Sequence, residues 1–112
     1  MLAFDEEQDQ GIVTLTLRGR LDALTAPEVR PLIDRLVEQR CQRVIIDLQQ
    51  LEMVDSSGVG AIISLFKRLR TVGGDVKIAR LTGQPKEIFR LLRLDRAFDL
   101  CETLEQARAL FK

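Results

Sequence analysis

The chain predicts an α/β domain, a mixed and mostly parallel sheet of about four to five strands covered by about four helices. Three observations lead there. Short β-branched runs alternate with stretches whose apolar residues recur at helical spacing. A polar, glycine-bearing turn joins the first two extended runs, and glycine, proline and capping residues stand at most later junctions.

Taken in order, Leu2 to Glu6 and Ile12-Val13-Thr14-Leu15-Thr16-Leu17-Arg18 flank Asp9-Gln10-Gly11, a hairpin whose first strand lies at a sheet edge. The second run alternates apolar with hydroxyl or charged residues, so one of its faces belongs to a core. Gly19-Arg20-Leu21-Asp22 leaves that strand. Thr25-Ala26-Pro27-Glu28 has the form of a capping box, with threonine at the cap, proline in the first turn and glutamate at the third helical position. Val29, Leu32, Ile33, Leu36 and Val37 are the buried stripe of the helix it opens. Pro31, about a turn inside, predicts a bend or a loosened first turn.

Val44-Ile45-Ile46-Asp47-Leu48 reads as a buried strand, and Met53-Val54 as the apolar approach to the turn Asp55-Ser56-Ser57-Gly58-Val59-Gly60. Val59, Ile62, Ile63, Phe66 and Leu69 then mark a helix to about Val72, where Gly73-Gly74 ends it beside Lys67, Arg68 and Arg70. Val76 to Leu81 is the next strand. Thr82-Gly83-Gln84-Pro85 opens a helix through Leu94, with Ile88, Leu91 and Leu92 inward. Ala97-Phe98 turns into Thr103-Leu104-Glu105-Gln106, a second capping box, and a last helix to Phe111. Phe66 and Phe89 read as core, and Lys86, Arg90, Arg93 and Arg96 as a solvated basic face. No repeat or linker interrupts the 112 residues, so residues 1–112 are expected to form one domain.

Composition narrows the function. Apolar residues make up 46% and charged residues 30%, the balance of an ordered globular chain. The 17 Lys plus Arg equal the 17 Asp plus Glu, so the clustered basic excess that nucleic acid demands is missing. Cys41 and Cys101 stand far apart in a chain without histidine, which argues against a zinc site, a disulfide framework or a Ser-His-Asp triad. They read as small apolar residues in a reducing compartment. The N-terminus has no basic n-region, and no apolar run is long enough to span a bilayer, so the expectation is a cytoplasmic protein with no membrane partner.

The turn at residues 55–60 gathers an aspartate, two hydroxyls and two glycines at a helix N-terminus, where N–H groups are unpaired and negative charge is favoured. A capping side chain, a bound anion, or a serine that acquires a phosphate all suit such a place. A cap needs only one of Asp55, Ser56 and Ser57, and Gly58 and Gly60 weaken a helical turn by about 1 kcal/mol each. Close packing on the sheet, or access to the backbone, would account for that weakness. A dinucleotide fingerprint fails because Ile63 replaces the third glycine, and no phosphate-loop lysine follows. A nucleophile elbow fails for lack of a glycine before Ser57 and of any histidine. A receiver domain with Asp47 as phosphoacceptor fails too, because Leu17-Arg18-Gly19 and Phe98-Asp99-Leu100 supply neither its acidic cluster nor its lysine.

Met53-Val54-Asp55-Ser56-Ser57-Gly58-Val59-Gly60 resembles the signature of STAS domains, especially of bacterial anti-sigma factor antagonists. Gly19-Arg20-Leu21-Asp22-Ala23-Leu24-Thr25-Ala26 resembles that family's Gly-x-Leu-Asp-x-x-x-Ala segment. The Val44–Leu48 strand, Gly73-Gly74 and Ile88-Phe89-Arg90-Leu91-Leu92 also fit, in order and over essentially the whole chain. The resemblance implies a STAS-like fold and a regulatory binding module, not an enzyme. By the same resemblance the module would sequester an anti-sigma factor that is also a serine kinase, be released by phosphorylation at Ser57, and be reset by a serine phosphatase. Asp22, Thr25, Asp55, Ser56, Ser57, Gly58, Val59 and Gly60 are the partner-binding positions it implies, with Ser56 a secondary acceptor whose main part is capping. ATP and metal belong to the partner, so no cofactor, catalytic residue or metal ligand is expected in this chain. The alternative is a non-switching STAS docking subunit of a lipid- or anion-transport complex, which has no need of a hydroxyl at Ser57.

Overall fold

A computed structural model describes residues 1–111. β1 (Leu2–Asp9) and β2 (Ile12–Leu21) pair antiparallel along the full length of β1, Leu2 opposite Gly19 and Asp9 opposite Ile12. Gln10 and Gly11 have φ of 53° and 78°, a two-residue turn whose twist matches its strands. All of β1 after Leu2 is exposed, as befits an edge strand.

The other pairings are parallel: β2 with β3 (Arg43–Asp47), β2 with β4 (Leu51–Val54), β3 with β5 (Asp75–Ala79) and β5 with β6 (Asp99–Cys101). The result is a six-stranded sheet in the order β1-β2-β3-β5-β6, with β4 beside β2. It is the mixed, mostly parallel sheet expected, with more strands than the alternation suggests. β4 and β6, of four and three residues, are too short to display a period.

α1 (Ala26–Glu38), α2 (Ser56–Thr71), α3 (Gly83–Leu91) and α4 (Leu104–Ala109) cover the sheet. Val13, Leu15 and Leu17, Val44 and Ile46, and Val76 and Ile78 join the apolar stripes of α1 and α2 in the main core. The intervening positions Ile45 and Ala79, with Ile12 and Cys101, point to the opposite face and pack with Ala107 of α4. On that second face Lys77 is 7% exposed, and its Nζ donates to Asp75 at 3.0 Å and to Asp99 at 2.6 Å, tying β6 to β5. Cys41 is half-buried and Cys101 buried, both free. Lys86, Arg90, Arg93 and Arg96 are all exposed. Among the described residues no helix is long and apolar enough to cross a membrane.

Three local expectations are corrected. α1, which includes Pro31, starts without a side-chain cap from Thr25, whose hydroxyl donates instead to the Arg20 carbonyl near the end of β2. At Thr103 the side-chain cap does form, its Oγ1 accepting the Gln106 N–H at 3.0 Å, while the Gln106 side chain accepts the Glu102 N–H at 2.9 Å in place of Thr103's own. α3 stops at Leu91 rather than Leu94, because Arg93 takes a left-handed conformation with φ of 58°. Leu91 lies off the Pro85–Phe89 stripe and Leu92 past the last turn, leaving them 77% and 51% exposed. Phe89, fully buried, and Leu94, after the break, fill the core instead.

Candidate functional site

β2 changes partner along its length, and this change builds the site. Val13 to Thr16 pair with β3; past an irregularity between Gly19 and Arg20, Arg20 and Leu21 pair with Met53 and Val54 of β4. β2 and β4 therefore end side by side and parallel. The segments that follow them, Asp22–Thr25 into α1 and Asp55–Ser57 into α2, emerge next to each other.

Carboxylates knit the two segments together. Asp55 is the N-cap of α2, extended at φ −109° and ψ −173°, and its Oδ1 accepts the Gly58 N–H at 3.0 Å. Its Oδ2 accepts the Ala23 N–H at 3.1 Å, across the gap between the loops. Asp55 N–H in turn donates to the Leu21 carbonyl at 3.2 Å. Within the first loop, Asp22 Oδ1 accepts the N–H groups of Leu24 and Thr25 at 3.0 and 3.1 Å. Thr25 Oγ1 donates to the Arg20 carbonyl and accepts the Asp22 N–H, both at 2.9 Å. Burial alone would raise the Asp22 carboxyl; the Thr25 and Leu24 N–H groups, the Thr25 hydroxyl and the N-terminal ammonium together hold it below its ordinary 3.8.

Gly58 is where α2 presses on this frame. A Cβ there would stand 2.3 Å from the Leu21 carbonyl oxygen and 2.7 Å from Val54 Cγ2, so only glycine lets the helix start so close to the strand ends. Gly60 differs: nothing lies within 4 Å of its Cβ position. Of the two sequence readings of these glycines, close packing holds for Gly58 and open access for Gly60.

Ser56 and Ser57, at the first two positions of α2, are both exposed. Their N–H groups belong to the first turn, which has no intrahelical acceptor to offer them. Ser57 also stands at one end of a groove of about 370 Å³ between α1 and α2. Gly60, Ala61 and Ser64 continue its α2 wall, Ala23, Ala26, Pro27 and Arg30 form the other, and the Arg68–Asp34 ion pair at 2.8 Å closes the far end. The chain has no histidine, so no imidazole can activate the Ser57 hydroxyl. Among the described residues no cluster of three metal-ligating side chains exists.

The structure thus brings all eight predicted positions to one place, but in two layers. Ser56, Ser57 and Gly60 are exposed and Asp22 and Asp55 half-buried, whereas Thr25, Gly58 and Val59 are buried. These last three lie beneath the surface and shape it. Capping falls to Asp55 and not to Ser56, a correction to the expected part of that serine.

Two residues of the site went unnoticed in the sequence. Gln84, at the start of α3, accepts the Val54 N–H at 2.9 Å and donates to the Val54 carbonyl at 3.0 Å, closing the free edge of β4 just before Asp55. Nothing local marks it. Leu24, at the tip of the Asp22–Thr25 loop, is 86% exposed. Its signal was available, since it is an apolar residue outside both the strand's alternation and the α1 stripe.

Known proteins share this fold. The family model for the STAS domain matches residues 3–107. An anti-sigma F factor antagonist of Paenibacillus polymyxa is 28% identical over 100 residues, covering 88% of this chain and 83% of the relative. An anti-sigma factor antagonist structure from Mycobacterium paratuberculosis superposes with a TM-score of 0.89 at 23% identity, over 98% of this chain and 93% of that one. The phosphorylated form of the Bacillus cell fate determinant SpoIIAA does so with a TM-score of 0.77 at 24% identity, over 98% and 100%. With the family model matched over residues 3–107 and, among the described residues, a six-stranded sheet covered by α1 to α4, this chain belongs to the STAS domain family.

Proposed function

We propose that this chain is an anti-sigma factor antagonist, a protein-binding module that holds an anti-sigma factor serine kinase while Ser57 is unmodified and lets it go once Ser57 is phosphorylated. The observation that carries the reading is an exposed serine at the N-terminal turn of α2 with no histidine in the chain to activate it. Such a hydroxyl is a substrate for another protein's chemistry. Relatives that are anti-sigma factor antagonists, and a structural relative known in both unphosphorylated and phosphorylated forms, support it.

In the forward step the Ser57 Oγ attacks the γ-phosphorus of ATP held by the kinase. The Oγ–P bond forms, the bond to the β-phosphate oxygen breaks, ADP leaves, and a base of the kinase takes the hydroxyl proton. A serine phosphatase reverses the mark by hydrolysis, water replacing the serine oxygen on phosphorus and inorganic phosphate leaving.

The modification adds about −1.5 to −2 charges at neutral pH. The free N–H groups and the dipole of α2 accept that charge, so the domain keeps its fold. An interface closing over Ser57 does not accept it, because it would enclose the phosphate beside Asp22 and Asp55. A loss of about 3–4 kcal/mol weakens binding a few hundred-fold.

The test is a phosphorylation screen. The chain and its Ser57→Ala and Ser56→Ala variants are incubated with labelled ATP and each purified serine kinase encoded in the same genome, and the label is placed by phosphopeptide mass spectrometry. Label on Ser57, lost only in Ser57→Ala, is the expected result. Absence of label with every kinase contradicts the reading. A permanently docked transport subunit would bind its partner equally well with or without charge at position 57.

A further inference from the structure

A single exposed leucine on a protein surface needs no explanation. Leu24 is set apart by what surrounds it. It is 86% exposed, the most exposed leucine among the described residues, yet its loop is not a loose one. Its own N–H is held by Asp22 at 3.0 Å, the N–H before it by Asp55 at 3.1 Å, and the N–H after it by Asp22 at 3.1 Å. The peptide groups that carry the side chain are fixed to the frame that positions Ser57. A protein that binds here finds the leucine's backbone already ordered, and ordering costs are what usually erode interface affinity.

The neighbours extend the apolar character. Ala23 and Pro27, on either side in sequence, are exposed and line the groove that begins at Ser57, and Ala26, Gly60 and Ala61 continue its walls. Asp22 and Asp55 already accept the loop's own N–H groups. Arg30, Ser64 and the Arg68–Asp34 ion pair supply the groove's polar contacts, whereas Leu24 is the large apolar side chain exposed on the loop beside it. A few side chains that end fully desolvated in a partner's pocket carry most of an interface's binding energy.

We propose that Leu24 is the apolar anchor of the Ser57 surface, inserted into an apolar pocket of the serine kinase that docks there, and that it decides which kinase is accepted. This rests on the reading of Ser57 as the modified residue and adds the contact that selects the partner. A kinase lacking the pocket would bury Leu24 against polar groups and be rejected.

The test uses the kinase that labels Ser57. Its affinity is measured by titration calorimetry against the Ser57→Ala chain, which keeps the surface unmodified, and against the same chain carrying Leu24→Ala or Leu24→Met. The kinetics of Ser57 labelling are followed in parallel on the single Leu24 variants. Leu24→Ala is expected to weaken binding about tenfold or more. It should raise KM with kcat unchanged, and Leu24→Met should stay within about threefold of the parent. Circular dichroism melting of both variants should match the parent, since the side chain lies in solvent. Parent-like affinity for Leu24→Ala overturns the anchor while leaving Ser57 phosphorylation standing, as does a fall in kcat at constant KM. If no kinase labels the wild-type chain, the underlying reading falls and the anchor falls with it.

Discussion

The Asp55 carboxylate accepts the backbone N–H of Ala23 at 3.1 Å, joining the turn at the head of α2 to the loop at the head of α1. Its other oxygen caps α2 through Gly58 N–H. One side chain therefore sets the helix start and the loop beside it, so that Ser57 and Leu24 stand on a common frame. An aspartate before the serines is thereby explained by geometry inside the domain.

Removing that carboxylate should loosen both elements. Asp55→Ala is expected to destabilise the domain by about 1–3 kcal/mol, combining a lost cap with a lost charge-assisted hydrogen bond. Urea unfolding of the variant checks the magnitude, and faster hydrogen exchange at Ala23 and Gly58 checks the location.

The two glycines of the turn should respond oppositely to alanine. Gly58→Ala drives a methyl into the Leu21 carbonyl, 2.3 Å away, a backbone atom that cannot swing aside. A loss of about 2–3 kcal/mol follows from overpacking of this kind. Gly60→Ala meets nothing within 4 Å inside a helix. It should gain about 1 kcal/mol from helix propensity. The difference in urea midpoints between the two variants is the measurement.

Gln84 should matter well beyond its own helix. Gln84→Ala strips the Val54 peptide of both partners at the edge of β4. The cost should be about 1–3 kcal/mol. Amide exchange at Val54 should accelerate in the variant, and Gln84→Glu, which keeps an acceptor and loses the donor, should fall between.

The Asp75–Lys77–Asp99 cluster predicts a plateau in stability against pH. Burial alone would raise the Asp75 carboxyl; its hydrogen bonds from Lys77 and the Val76 N–H, with the charges of Lys77 and Arg70, hold it below its ordinary 3.8. Burial alone would lower the Lys77 ammonium, but the bonds to Asp99 and Asp75 raise it above its ordinary 10.5. A depressed carboxyl stabilises above its unfolded value, and that contribution is lost as pH falls through the folded one. A raised ammonium stabilises below its unfolded value, and that contribution is lost as pH rises through the folded one. The cluster is thus fully stabilising between about pH 4 and pH 10. Denaturation midpoints should fall outside this window on both sides, and Lys77→Met should remove the alkaline fall and reduce the acid one.

Much of this was legible because periodicity reports burial. Val13, Leu15 and Leu17, and Val59, Ile62 and Leu69, announce their faces in the sequence, and their order fixes an α/β sheet. The turn was legible because Asp55, the two serines and the glycines are chemically special at a helix start. What stayed hidden depends on partners distant in the chain. β4 and β6 exist because neighbouring strands hold them, and Gln84 acts on a peptide thirty residues earlier. Thr25 has the residues of a capping box, yet its hydroxyl prefers the Arg20 carbonyl that the end of β2 presents. Gly58 and Gly60 look alike in sequence, and only the position of Leu21 separates them.

The central claim is that charge on Ser57 governs partner binding while the fold stands unchanged. The most direct measurement is the affinity of the labelling kinase for the chain before and after stoichiometric phosphorylation of Ser57, with circular dichroism recorded on both forms. Binding weaker by a few hundred-fold, with superimposable spectra and melting, is what the account predicts. Equal affinity of the two forms, or a phosphorylated chain that has lost its structure, contradicts it.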